Sequence, residues 1–137
     1  MRLICRIVLA GLLVALSITQ ANATVPNGSW SGNAYHVSGD PDYDYHVVLN
    51  IMEGTPVLSN TTYVYVVFGT CTANLHLTSH PAPNKSVFAE VNTSGVCVDG
   101  EVRVTYNARN GKVYYEWWWT SGPHAGELDA YGWLDPS

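Results

Sequence analysis

Positive charge is scarce in this chain: six Lys and Arg stand against 11 Asp and Glu in 137 residues. Two of the six, Arg2 and Arg6, fall in the first few positions, so only Lys85, Arg103, Arg109 and Lys112 follow them. So small a supply of cations argues against nucleic acid, whose affinity rests on Lys and Arg contacts to phosphate. It argues equally against docking on anionic lipid. Cysteine is sparse as well, at three residues, with no Cys-x-x-Cys pair to mark a zinc site or a dithiol. Beyond the first twenty or so residues there is no sustained helical apolar period, which disfavours a helix-rich fold. Gly-x-Ser-x-Gly, Gly-x-Gly-x-x-Gly, the P-loop and His-Glu-x-x-His are all missing. No cofactor, no metal and no catalytic residue set is therefore expected, and the chain reads as a non-enzyme.

What is there begins with an apolar run, Ile7 to Ile18, behind Arg2 and Arg6 and ahead of Ala21-Asn22-Ala23. A positive start, a short apolar stretch and small residues at −3 and −1 are the parts of a secretory signal peptide, expected over residues 1–23. The run is shorter than the roughly 17–25 residues of a membrane span. No stable membrane insertion is expected after cleavage. Cys5 leaves with the leader, and residues 24–137 keep Cys71 and Cys97 alone. An exported chain with one cysteine pair implies one disulfide in a secreted or periplasmic compartment. The remaining four Lys and Arg against 11 Asp and Glu leave a net charge of −7.

The aromatic content is concentrated in this expected mature chain: all five Trp, all nine Tyr and both Phe. Trp, Tyr, Val and Thr favour strands. Turn residues recur at intervals typical of a sandwich or small barrel. The pattern predicts a single all-β domain of about eight antiparallel strands, in a small barrel or sandwich, over 24–137. A first strand is expected from Asn27 to Val37, then a turn at Asp40-Pro41-Asp42. Tyr43, Tyr45, Val47, Leu49 and Ile51 alternate as a core face. Pro56 and Asn60 punctuate the next stretch, and Thr62 to Phe68 reads as a central strand. Cys71, Ala73, Leu75 and Leu77 share an inward parity, and Val87, Ala89 and Val91 form another alternating set. A loop is expected at Pro81 to Asn84.

Asn110-Gly111 signals a two-residue type I′ hairpin. Its register would pair Ala108 with Val113, Tyr106 with Tyr115, Val104 with Trp117 and Val102 with Trp119. Tyr115, Trp117 and Trp119 then face inward. Tyr114, Glu116 and Trp118 face outward, with Arg103 over Trp118 as a cation–π pair. The last strand is expected from Ala125 to Leu134.

Few constellations carry chemistry. Asp40, Asp42 and Asp44 alternate like a calcium loop, but Tyr45 and Ile51 stand where Gly and Glu are needed. His36, His46, His76, His80 and His124 lack zinc spacing and read as solvated strand residues. Glu90, Glu101, Glu116, Glu127 and Asp129 are carboxylates without a visible pairing. Asn27, Asn60, Asn84 and Asn92 begin Asn-x-Ser/Thr sequons. The outward aromatics Tyr114 and Trp118, with Trp133, are the candidate binding residues, able to stack on sugars or anchor a partner.

The order of landmarks resembles the extracytoplasmic β domains of bacterial exported proteins and of some actinobacterial receptor Ser/Thr kinases. Its carriers are Trp30-x-Gly32, Tyr45-Val47-Leu49, Cys71 before Leu75 and Leu77, Glu90, and Cys97-x-x-Gly100. Val102-Val104, Tyr115-x-Trp117 and Ala125-Gly126-x-Leu128 complete it. The resemblance implies a disulfide-pinned barrel or sandwich used for sensing or binding, and it brings no catalytic residues. Three functions are expected in descending order. The first is a non-enzymatic module for an unknown small ligand, glycan or envelope protein. The second is a periplasmic inhibitor or immunity protein against a basic enzyme. The third is a small hydrolase, which would need clustered carboxylates in a cleft.

Overall fold

Alternation of apolar and polar residues, interrupted by Gly, Pro and Asp, carries the chain through eight strands that close on themselves. The computed structural model describes residues 24–54 and 59–137. The expected leader, with its expected cleavage point after Ala23, and Pro56 lie outside the described residues. The strands are β1 (Gly28–His36), β2 (Tyr45–Ile51), β3 (Ser59–Tyr65), β4 (Gly69–Ala82), β5 (Lys85–Ser94), β6 (Gly100–Asn107), β7 (Lys112–Trp119) and β8 (Leu128–Pro136). Each pairs antiparallel with its sequence neighbour, and β1 pairs with β8 to close the barrel. Closure settles barrel against sandwich and leaves no free sheet edge. A single 3₁₀ turn, Pro41–Tyr43, links β1 to β2, capped by the Asp40 side chain accepting from the Asp42 N–H.

The inner face is apolar: Ala34, Val47, Leu49, Ile51, Leu75, Phe88, Val102, Val104, Val113, Tyr115 and Leu134 are all but inaccessible. Outward positions such as Ser31, Asn33, His46, Asn50, Asn60 and Asn74 are polar. That is the reverse of a barrel that faces lipid. Among the described residues no helix is long and apolar enough to cross a membrane. Cys71, at the start of β4, is bonded to Cys97 in the β5–β6 loop.

Several expectations need correction. Tyr43 belongs to the 3₁₀ turn and is 45% exposed, so the β2 core face starts at Tyr45. β3 ends at Tyr65, and Val66, Val67 and Phe68 form an exposed turn. Leu77 is exposed although it pairs with buried Phe88, at the point where the β4–β5 register shifts toward Ser79. β4 continues through Pro81, beyond the expected start of the loop. The last strand starts at Leu128, three residues after Ala125.

In β5 Ser86, Val87, Phe88 and Glu90 are buried, so of the expected set Val87 is covered while Ala89 and Val91 face outward. Burying Phe removes far more apolar surface than burying Ala. The two-residue period then carries Glu90 inward on the same face.

The hairpin differs in register. Tyr106 lies opposite Val113, Val104 opposite Tyr115, Val102 opposite Trp117 and Gly100 opposite Trp119. The pairing is displaced by two residues from the expected one, because the loop has four residues between Asn107 and Lys112. Gly111 has φ +68°, and no described non-Gly residue has positive φ, so a type I′ turn is excluded. Asn107 O accepts from Gly111 N–H at 2.8 Å, and Asn110 Oδ1 accepts from Lys112 N–H at 2.9 Å. A two-residue displacement preserves facing. Tyr115 and Trp117 are therefore buried inward, and Trp119 packs half-buried against the same core.

Candidate functional site

The interior is filled unevenly. Toward one end, Trp30, Leu49, Ile51, Leu75, Phe88, Val104 and Leu134 pack it solidly. At the other end the inward residues are the last ones of β1, β3, β5 and β7 and the first of β2 and β6. There the sequence supplies His36, Tyr45, Tyr63, Tyr65, Glu90, Trp117 and Trp119 in place of aliphatics. Flat rings on a widening wall leave a cup of about 320 Å³, with Phe68, Val96, Cys97 and Val98 along its rim. That volume lies at the low end of small-molecule sites.

Glu90 sits deep in this cup, 3% exposed. The Trp117 indole N–H donates to its Oε1 at 3.0 Å. The Tyr63 hydroxyl donates to its Oε2. Burial raises its pKa to about 7, partly offset by these two hydrogen bonds. The hydroxyls of Tyr45 and Tyr115 lie 3.1 Å apart beneath it. Burial holds Tyr45, Tyr63 and Tyr115 well above the ordinary phenol value, so all three stay protonated and able to donate.

A second acid–base group stands nearer the mouth. The β7–β8 register slips between Trp117 and Trp118: Trp117 faces Ala130, but Trp118 faces Leu128. Asp129 is the extra residue of that bulge, and bulges re-aim side chains. Its Oδ1 accepts from Trp119 Nε1 at 2.9 Å and lies 3.0 Å from His36 Nε2. His36 Nδ1 accepts from the Ser38 backbone N–H at 3.1 Å. The same Nδ1 lies 2.6 Å from Ser38 Oγ, so both ring nitrogens of His36 are engaged.

The walls are ring faces. Trp117 and Trp119 meet edge to face at 5.2 Å, Tyr45 and Tyr65 lie 4.6 Å apart, and Tyr43 stacks on Phe68 at 5.6 Å. Gly100 makes room for Trp117: a Cβ there would stand 2.2 Å from the indole ring. The Cys71–Cys97 bond fastens the loop carrying Val96 and Val98 to the barrel wall.

The residues singled out by outward parity stand elsewhere. Tyr114 and Trp133 are neighbours on the outer wall, ring centroids 5.1 Å apart, with Trp133 46% exposed. Trp118 lies four residues further along β7, beneath the Arg103 guanidinium at 4.1 Å. The cation–π pair forms diagonally, since Arg103 faces Glu116 directly. The three aromatics thus do not form one patch.

Sequence reasoning missed Glu90 and Asp129 as facing the same cavity, and His36 as an interior residue. Parity with Phe88 carried the signal for Glu90. Nothing in the sequence marked the bulge at Asp129. Among the described residues no cluster of His, Cys, Asp or Glu is arranged to hold a metal. No known protein family, curated protein or solved structure matches this chain.

Proposed function

We propose that this protein is an exported, non-enzymatic binding module that takes a small ligand into the open end of its barrel. The observation that carries the reading is the cup itself. An eight-stranded barrel has an interior just wide enough to be filled by side chains or to hold one small ligand. Here one half is filled and the other is left open and lined by seven aromatic rings and the two acidic groups. Apolar walls with a few placed polar groups are what orient a small molecule. Export is supported by the leader residues 1–23 and by the disulfide, which persists in oxidising compartments.

Five tryptophans supply a direct test, because each indole N–H gives its own resonance in a proton–nitrogen correlation spectrum. Trp117 and Trp119 report the cup, while Trp118 and Trp133 report the outer wall. In a screen of small fragments, binders are expected to shift the first pair. Binders that shift only Trp118 and Trp133 would favour the outer wall and overturn the cup reading.

A further inference from the structure

We propose that the ligand of the cup is a small organic cation, an alkylated ammonium seated among the rings of Tyr43, Tyr65, Trp117 and Trp119 and balanced by Glu90 and Asp129. The proposal rests on the reading of the cup as a binding site and assigns its ligand class.

Three independent observations converge. First, among the described residues the cup is lined by two carboxyl groups and no Lys or Arg. Its one imidazole, His36, turns Nε2 to Asp129 at 3.0 Å and is engaged at Nδ1 by Ser38. An anion entering here would meet Glu90 and Asp129 with no Lys or Arg to offset them.

Second, the walls are aromatic rings at close spacing. Trp117 and Trp119 stand at 85° to one another, forming a corner, and Tyr65 packs edge to face on Phe68 at 5.7 Å. A cation within about 6 Å of a ring centroid is attracted to the face, and cages of several rings select alkylated ammonium over better hydrated cations. Third, acidic residues stand in the loops behind the apolar rim. Tyr43 lines the cup from the turn that carries Asp40, Asp42 and Asp44, and Asp44 is fixed by the His36 backbone N–H at 2.8 Å. Asp99 adds a further acidic group from the β5–β6 loop. Converging charge of one sign at a cleft raises the local concentration of the opposite sign.

Binding should be linked to protons. The groups facing Glu90 are Tyr63 and Tyr65 from β3, Trp117 and Tyr115 from β7 and Asp99 from the β5–β6 loop; none is a cation. With Glu90 near the middle of its titration at neutral pH, a bound cation favours the ionised form and releases protons. Affinity is expected to rise as pH climbs through about 7.

The experiment compares choline with 3,3-dimethylbutan-1-ol, its neutral carbon isostere, by the Trp117 and Trp119 indole resonances of the protein with its disulfide intact. Choline is expected to bind at least about tenfold more tightly, a difference of about 1.4 kcal/mol. Glu90→Gln is expected to weaken choline binding by roughly tenfold and to flatten its pH dependence. Asp129→Asn serves as a second variant should Glu90→Gln fail to give a dispersed spectrum. Equal binding of the two compounds would overturn the cation proposal and leave the cup reading intact. So would silence toward choline when other fragments move the same two indoles. Silence of both indoles toward every compound would overturn the cup reading as well.

Discussion

Glu90 shows how one side chain is placed by another. It shares a strand face with Phe88, and the larger gain from burying the aromatic takes the carboxyl inward. The barrel then supplies Tyr63 and Trp117 as donors to both oxygens. Its raised value of about 7 means that the native state binds a proton which the unfolded chain releases at lower pH. Stability from this group is therefore highest below the ordinary carboxyl range, near 4.5, and falls as pH rises to about 7. The loss is on the order of 3 kcal/mol across that window. Glu90→Gln removes the titration, so its stability relative to the native protein is expected to improve steadily over the same interval. Urea unfolding at a series of pH values checks this. A constant difference from acid to neutral pH would show that Glu90 does not titrate there.

At the scale of elements, two pieces determine the cup: the β5–β6 loop and the β6–β7 hairpin. The loop is held by Cys71–Cys97, a bond that joins positions 26 residues apart. Chain entropy makes such a crosslink worth roughly 3–4 kcal/mol. Replacing both cysteines by Ser is expected to lower stability by about that amount and to weaken binding in the cup, since Val96 and Val98 lose their anchor. Chemical unfolding and the Trp117 and Trp119 resonances report the two effects separately; unchanged fragment binding would show that the loop holds its place without the bond. The hairpin teaches a lesson about reading sequence. Asn110-Gly111 marks a turn, and the inward facing of Tyr115 and Trp117 follows from apolar alternation. Whether two or four residues form the loop is decided by local hydrogen bonds such as Gly111 N–H to Asn107 O. Both loops give every strand residue the same facing, so the pattern could not separate them.

At the scale of the whole molecule, closure makes the parts interdependent. Every strand is hydrogen-bonded to two neighbours, and one apolar cluster runs through them, from Val25 to Leu134. Unfolding is expected to be a single cooperative transition. Far-ultraviolet circular dichroism and tryptophan fluorescence should give coincident midpoints in urea. Separate midpoints would mean that the aromatic end opens before the aliphatic end. Short-range pattern alone determined that this chain is all-β, that about eight antiparallel strands form it, that Cys71 pairs with Cys97, and which way most strands face. The cysteine pairing follows from the count left after the leader, and the rest from residue size and polarity at a period of two, which any strand obeys whatever it packs against. Only the tertiary structure decided that the sheet closes as a barrel, that it is filled at one end and hollow at the other, and that Glu90, His36 and Asp129 meet in the hollow. Those outcomes depend on strand register and on one bulge between Trp117 and Trp118. Registers are settled by the packing of all eight strands at once, and no single segment encodes them.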